Sequence, residues 1–330
     1  MTILYENLPV VHDTGEILSD EKTNWRDSKF RNEAVAESFH DEQSEFLMKR
    51  FERMTDCGAY LKFAVAKNGD KRLMSAYFCK DRMCPGCQKR RSLVIFHQVK
   101  NICQAIQEDF PTYKYLLLTL TVPNVKADQL NDEIKHLHSS WNKMQQRAFF
   151  KKSIKGWFRA LEVTYNGERD DYHPHLHVLL CVPSGYFKKN YIKRDDWLKY
   201  WQEATKYPNI TQVDVRAVKP NPKRHESTDI SAAAAEVGKY ATKPSNYVCK
   251  TPNGKYLAVH DVVRELADGI ARKRLIAFGG IMKEYHQKLQ QVDVESDSVD
   301  LVHTGEEDSA IDAVMVQVFR WNVGFGNYIG

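Results

Sequence analysis

Residues 157–182 read WFRALEVTYNGERDDYHPHLHVLLCV. Two apolar runs, 157–165 and 174–182, flank a short polar stretch, NGERDDY. That pattern predicts two antiparallel strands joined as a hairpin. The second run is entered through His173-Pro174-His175-Leu176-His177. Side chains alternate along a strand, so His175 and His177 share one face, about 7 Å apart. On the first run Glu162 stands between Leu161 and Val163, a poor place for an acid without a partner. If Glu162 faces the histidines, the three form a two-histidine, one-carboxylate set with open positions. Such a set suits Mg²⁺ or Mn²⁺ and lets a phosphate oxygen bind and be polarised. The blander alternatives are a surface histidine or a structural zinc pair. Three histidines in five residues on an apolar strand beside an acid favour a metal. His173, ahead of Pro174, reads as a loop residue near it.

Outward from this hairpin, residues 114–122 read as a strand and 126–148 as a helix with Leu130, Ile134, Leu137 and Trp141 on one stripe. Residues 194–205 read as a helix and 211–218 as a strand. The order β-α-β-β-α-β predicts an α+β fold: a ferredoxin-like or RRM-like antiparallel sheet with helices on one face. An alanine-rich helix over 229–243, stopped by Pro244, would be added against that sheet. On it Glu236 and Tyr240 lie at i and i+4, with Lys243 three residues further. A tyrosine hydroxyl is a poor nucleophile at neutral pH, yet attacks phosphorus if a metal withdraws charge and a base takes the proton. Lys243 would stabilise developing charge, and Glu236 could activate a water. Alone, this helix reads as a solvated face; the histidine strand gives it weight.

Upstream, 60–66 and 72–78 read as two short strands around an Asn68-Gly69 turn, and about 88–107 as a helix. Cys79-x4-Cys84-x2-Cys87 follows the second strand, and Cys57 precedes the first. Four cysteines with a Pro-Gly turn between the last two predict a closed tetrahedral Zn²⁺ site, which is structural. Cys103, Cys181 and Cys249 read as small apolar residues. The cluster is embedded in Lys80, Arg82, Lys89, Arg90 and Arg91. Cations at a helix start oppose the macrodipole. They either compensate a tetrathiolate or touch DNA phosphates.

The chain has 330 residues, 42% hydrophobic and 28% charged, which excludes a wholly disordered or collagen-like chain. The net charge of +5 hides an asymmetry: residues 292–312 hold eight acids and no Lys or Arg. The remainder carries 48 basic against 35 acidic residues, a body of +13, which points to a polyanion partner. The acidic segment is expected to compete with DNA for the basic surface or to contact a host partner. The apolar run Tyr115–Val122 is far short of a membrane span of about 20 residues. No secretory signal pattern opens the sequence, and the odd cysteine count argues for reduced thiols, hence a cytoplasmic setting. The expected organisation is a flexible lead-in (1–45), a Cys-rich zinc segment and helix (46–110), a catalytic domain (111–256) and a helical C-terminal region (257–330).

Taken together, these motifs resemble the rolling-circle plasmid replication initiators of the HUH endonuclease superfamily. The name refers to His-hydrophobe-His, here His175-Leu176-His177. Leu117-Leu118-Thr119-Leu120-Thr121-Val122 resembles the family's first motif and Tyr240-Ala241-Thr242-Lys243 its tyrosine motif. The Cys-rich segment and Glu236 are similar to the branch from Gram-positive bacteria. The resemblance covers roughly residues 57–247. It implies single-strand nicking at the plasmid's double-strand origin, with Tyr240 forming a 5′-phosphotyrosyl link and the freed 3′-OH priming synthesis. It implies that Glu236 directs a water at termination, and that His175, His177 and Glu162 hold Mg²⁺ or Mn²⁺. Lys80, Arg82, Lys89, Arg90, Arg91 and Lys239 are expected to contact DNA. A host helicase, a host polymerase and a second copy of the chain are partners implied by the resemblance alone.

Three other readings compete. A single-tyrosine transposase or mobilisation relaxase keeps the chemistry and changes the biology. A non-enzymatic zinc-containing DNA-binding regulator leaves the histidine strand and tyrosine helix as coincidences. A small-molecule metallohydrolase would need more His and Asp ligands than the sequence clusters.

Overall fold

The computed structural model describes residues 5, 8–19, 23–218, 229–238, 244–305 and 311–330. The chain folds as two compact units interleaved along the sequence. Met1–Val94, Tyr247–Arg264 and Asp300–Gly330 make the first; Ile95–Asn246 and Glu265–Val299 make the second. These units cut across the consecutive segments expected from sequence. No helix among the described residues is long and apolar enough to cross a membrane.

In the first unit, Tyr60–Ala66 and Lys71–Ala76 form an antiparallel hairpin. Its turn places Gly69 at φ +86°, where a side chain is disfavoured. Ala313–Asn322 adds to this sheet beside Tyr60–Ala66, with Asn327–Ile329 and the short Val10–Val11 pairing to it in turn. A helical C-terminal region was expected; its last part is strand instead. The flexible lead-in is also overturned, since Trp25–Ala36 is a helix. Its buried side includes Lys29 and Asn32 beside Val35 and Ala36, so no apolar stripe announces it. Both polar groups donate to backbone carbonyls at the end of the helix Glu45–Thr55: Lys29 to Thr55 and Cys57, Asn32 to Met54. Burial is tolerated because the donors are satisfied.

In the second unit, five strands stand in the order Ile276–Gly280, Gly156–Asn166, Asp171–Val182, Lys114–Thr121, Asp214–Ala217, each antiparallel to its neighbours. Leu116, Leu118, Leu120, Leu161, Val163, Leu176, Val178 and Leu180 are buried and share one face by register. The helices Ala127–Gln145 and Arg194–Thr205 pack together, and the first also packs against Asp171–Val182. They contribute the fully buried Trp141, Trp197 and Trp201. The opposite face of the sheet carries the candidate site. The helix Asp229–Val237 packs against Asp171–Val182, as expected for the added helix. Its described part runs to Val237, and positions 239–243 of the expected helix lie outside the described residues. The Gly238 N–H donates to the Ala234 carbonyl at 2.8 Å, an i→i−4 helical bond.

The outer strand Ile276–Gly280 replaces part of a segment read as helical, and the helix Ile281–Lys288 follows it. Gly279 is a close-approach residue: a Cβ there would lie 2.2 Å from the Trp157 ring.

Candidate functional site

The hairpin Gly156–Asn166/Asp171–Val182 pairs Glu162 with His175 and Ala160 with His177. From the other side, Lys114–Thr121 pairs Thr121 with His175 and Thr119 with His177. Directly opposed residues share a face, so Glu162, His175, His177, Thr119 and Thr121 all project to the same side. Pro174 is tolerated in this central strand because Lys114–Thr121 ends opposite His175, which leaves Pro174 opposed by Val163 alone.

The His177 Nε2 lies 3.0 Å from a Glu162 carboxylate oxygen, and the His175 Nε2 lies 3.7 Å from the same oxygen. One ligand atom from each residue lies within 4.8 Å of the others. Adjacent donors of an octahedral ion with bonds of about 2.1 Å stand about 3.0 Å apart, so this set fits a small divalent cation. The outer contacts fit as well. The His175 Nδ1 is 3.1 Å from the His173 carbonyl, which only accepts; Nδ1 therefore carries the proton and Nε2 keeps its lone pair for a metal. The His177 Nδ1 lies 3.4 Å from the Thr119 hydroxyl. Glu162 is buried, His175 nearly so, and His177 partly exposed, so the site opens toward solvent at one side. His173 lies within the strand rather than in a loop; its ring stacks on that of His175 at 5.1 Å. Burial pushes its pKa down, and it is absent from the ligand cluster. Thr119 was quoted in a motif but not assigned; the alternating threonines of Thr119-Leu120-Thr121 were the available signal.

The four cysteines converge in the first unit. Cys57 follows the helix Glu45–Thr55, Cys79 follows Lys71–Ala76, Cys84 precedes the helix Pro85–Asp109 and Cys87 lies in its first turn. Pro85 is suited to a first helical position. Cys57–Cys87, Cys79–Cys87 and Cys57–Cys84 sulfur separations are 3.6, 3.7 and 3.6 Å. Zinc–sulfur bonds of about 2.3 Å place tetrahedral sulfurs about 3.8 Å apart, whereas a disulfide needs about 2.05 Å. The cluster can hold a metal ion and leaves no ligand position open. Hydrogen bonds from Cys79, Cys84 and Cys87 pull the Cys57 thiol down, whereas burial pushes Cys84 and Cys87 up. Asp81 organises the loop between Cys79 and Cys84. Its carboxylate accepts a bidentate pair from Arg50 at 2.8 and 2.9 Å and the Met83 N–H at 2.9 Å.

Two of the expected DNA contacts are corrected by burial. Arg90 and Arg91 are about 1% and 2% exposed. Arg90 donates to the carbonyls of Leu301 and Val302, and Arg91 to that of Lys80 at 2.7 Å. The helix start tolerates these cations because loop carbonyls, not solvent, receive them. Lys80 and Arg82 are half-buried, and Lys89 is exposed, with its ammonium donating to the Thr23 carbonyl. The acidic segment is also partly committed. Asp293 pairs with Arg274 at 3.1 Å, and the Glu295 carboxylate accepts the Leu275 N–H at 2.9 Å, where Ile276–Gly280 begins. Glu236 lies on the helix Asp229–Val237, whose contact is with the histidine strand. Lys239, Tyr240 and Lys243 lie outside the described residues.

A family profile described as "Replication protein" matches residues 70–329. The chain is 34% identical over 308 residues to "Protein rep" of Streptococcus pneumoniae serotype 2 (strain D39 / NCTC 7466), covering 92% of this chain and 91% of that protein. It is 35% identical over 325 residues to "Protein rep" of Bacillus amyloliquefaciens, covering 93% and 94%. A "Replication protein" of Staphylococcus aureus is 32% identical over 234 residues, 70% of this chain and 96% of its own length. No solved structure matches the chain. With its cysteine cluster and its histidine–glutamate face in place, the chain belongs to the replication protein family and is a plasmid replication initiator of the Gram-positive type.

Proposed function

We propose that the protein starts rolling-circle replication by nicking one strand of its plasmid's double-strand origin and later rejoining it. The observation that carries this reading is the open Glu162–His175–His177 cluster on one face of the second unit's sheet. The strand order of that sheet, with its two packed helices, supports the ferredoxin-like arrangement expected of an HUH domain. Glu162, His175 and His177 would hold Mg²⁺ or Mn²⁺. Such an ion, when bound, polarises a non-bridging phosphate oxygen and offsets charge at phosphorus.

The Tyr240 oxygen would attack the scissile phosphorus, form the O–P bond of a 5′-phosphotyrosine and displace the 3′ oxygen. The phenolic proton leaves as the 3′ oxygen gains one. Lys243 stabilises negative charge on the phenolate or phosphate. Lys239, beside the tyrosine in sequence, would contact the DNA backbone, as would Lys80, Arg82 and Lys89. Glu236 would direct water at the final phosphodiester, ending the round by hydrolysis. Zn²⁺ would fill the four-cysteine site as a structural ion. The freed 3′-OH would serve a host polymerase, with a host helicase opening the duplex and a second copy of the chain at the origin.

Supercoiled cognate plasmid incubated with the protein and Mn²⁺ should yield relaxed circles and a 5′-linked protein–DNA adduct. Origin binding without any nick would favour a DNA-binding regulator instead. Replacing Glu162 with Ala should weaken Mn²⁺ affinity roughly 10- to 100-fold or more, because a buried anionic ligand is lost. Calorimetric titration of Mn²⁺ checks this; unchanged affinity removes Glu162 from the ligand set. Glu236→Ala should keep nicking and fail at termination, leaving multimeric product. Normal release of monomeric circles by that variant would refute the water-directing role.

A further inference from the structure

Beyond the end of the histidine strand, residues 186–194 read Tyr-Phe-Lys-Lys-Asn-Tyr-Ile-Lys-Arg. Phe187 is 44% and Tyr191 58% exposed, four residues apart in one short loop. Both pack edge-on against the buried Tyr186, at centroid distances of 5.2 and 5.8 Å and interplanar angles of 84° and 69°. Edge-to-face packing holds each ring against Tyr186 while about half of its surface stays in solvent. Lys188, Lys189 and Lys193 between and beside them are exposed, and among the described residues none has an ion-pair partner. Ile192 is buried and pins the loop from below. Two held, outward aromatic rings interleaved with three cations match the chemistry of a single-stranded nucleic acid: bases to stack and phosphates to neutralise.

The loop's place in the fold gives it a use. The strand that carries His175 and His177 runs on to Val182, and the loop follows directly. From His177 to Val182 is about 17 Å along a strand. A strand of a few nucleotides spans that reach.

We propose that Phe187 and Tyr191, with Lys188, Lys189 and Lys193, form a stacking platform that holds unpaired DNA beside the histidine–glutamate site. The proposal rests on the reading that this chain acts on single-stranded DNA. It adds where that strand is gripped away from the reacting phosphate. A duplex cannot use the platform, since its bases are already stacked on one another. The loop therefore contributes to affinity for melted DNA and little to affinity for paired DNA.

The test uses the full-length protein, a fluorescein-labelled 20-nucleotide oligothymidylate and a blunt labelled duplex, read by fluorescence anisotropy. F187A and Y191A should each lose about tenfold or more in oligothymidylate affinity, while duplex affinity stays within twofold. F187Y and Y191F should bind as the parent does, because they keep the ring. Replacing Lys188 and Lys189 with Gln should reduce the salt slope of single-strand binding, by about 0.7 for each phosphate no longer neutralised. Oligothymidylate affinity within twofold of the parent in the double variant F187A/Y191A overturns the platform. So does an equal loss on both DNAs, which a general loss of charge or fold would give. Plasmid nicking by the unaltered protein is scored separately. Nicking with no effect of the ring variants sinks the platform alone. Ring-dependent binding without nicking sinks the endonuclease reading and leaves the platform standing.

Discussion

The Tyr240→Phe protein should bind its origin and leave it intact. Phenylalanine keeps the ring and removes the one oxygen that forms the phosphotyrosine. Nicking should fall by more than about 10³-fold, as expected when a nucleophile is deleted. A mobility shift on origin DNA should be unchanged, because the DNA contacts are supplied elsewhere. Tyr172, Tyr165 and Tyr247 are poorly placed to substitute for Tyr240. Tyr172 is fully buried, its hydroxyl donates to Glu265, and burial pushes its pKa up. Tyr165 donates to Asp170 at 2.9 Å, and its pKa is likewise raised by burial. Tyr247 is 1% exposed, with its hydroxyl 3.1 Å from the Gln88 amide. A denaturing gel that resolves protein–DNA adducts checks the prediction. Retained adduct in Tyr240→Phe would remove Tyr240 from its role.

Cys84→Ser combined with Cys87→Ser should unfold the first unit. The cluster ties together the end of one helix, a strand and the start of another helix. Structural zinc sites contribute about 10–16 kcal/mol of apparent binding free energy, as much as a whole domain's stability of about 5–15 kcal/mol. Removing two of four thiolates forfeits most of that. Zinc content should fall from about one ion per chain to none. Limited proteolysis should then cut within residues 23–94 and 311–330, which should resist cleavage in the parent. Strong chelation, or acidification that lets protons compete for the thiolates, should act in the same direction. Full thermal stability in the zinc-free double variant would show that the first unit does not depend on a metal at this cluster.

Much of the second unit was legible because its signals are local and periodic. The apolar stripe of 126–148 and the alternation around Glu162 and His175 each depend on a few neighbouring residues. Strand pairing then brought Glu162 and the histidines together with no further information. The first unit was harder to read. Its helix Trp25–Ala36 buries Lys29 and Asn32 against carbonyls some 20 residues away, and hydropathy does not register a buried donor. The strand Ala313–Asn322 carried a readable signal in Val314, Val316 and Val318, but its partner Tyr60–Ala66 lies over 240 residues away. Arg90 and Arg91 misled for a related reason. A run of cations looks like a DNA surface until the carbonyls of Leu301, Val302 and Lys80 fold over it.

The central claim is that Tyr240 becomes covalently joined to the 5′ side of a nicked origin strand. The direct measurement is to trap the reaction of wild-type protein, Mn²⁺ and a single-stranded origin oligonucleotide, digest with trypsin and nuclease, and locate the nucleotide-bearing residue by mass spectrometry. The account predicts one modified peptide, with the nucleotide phosphate on Tyr240 and no modification when Mn²⁺ is chelated. A nucleotide on any other residue, or DNA cleaved with no covalent peptide at all, would contradict it.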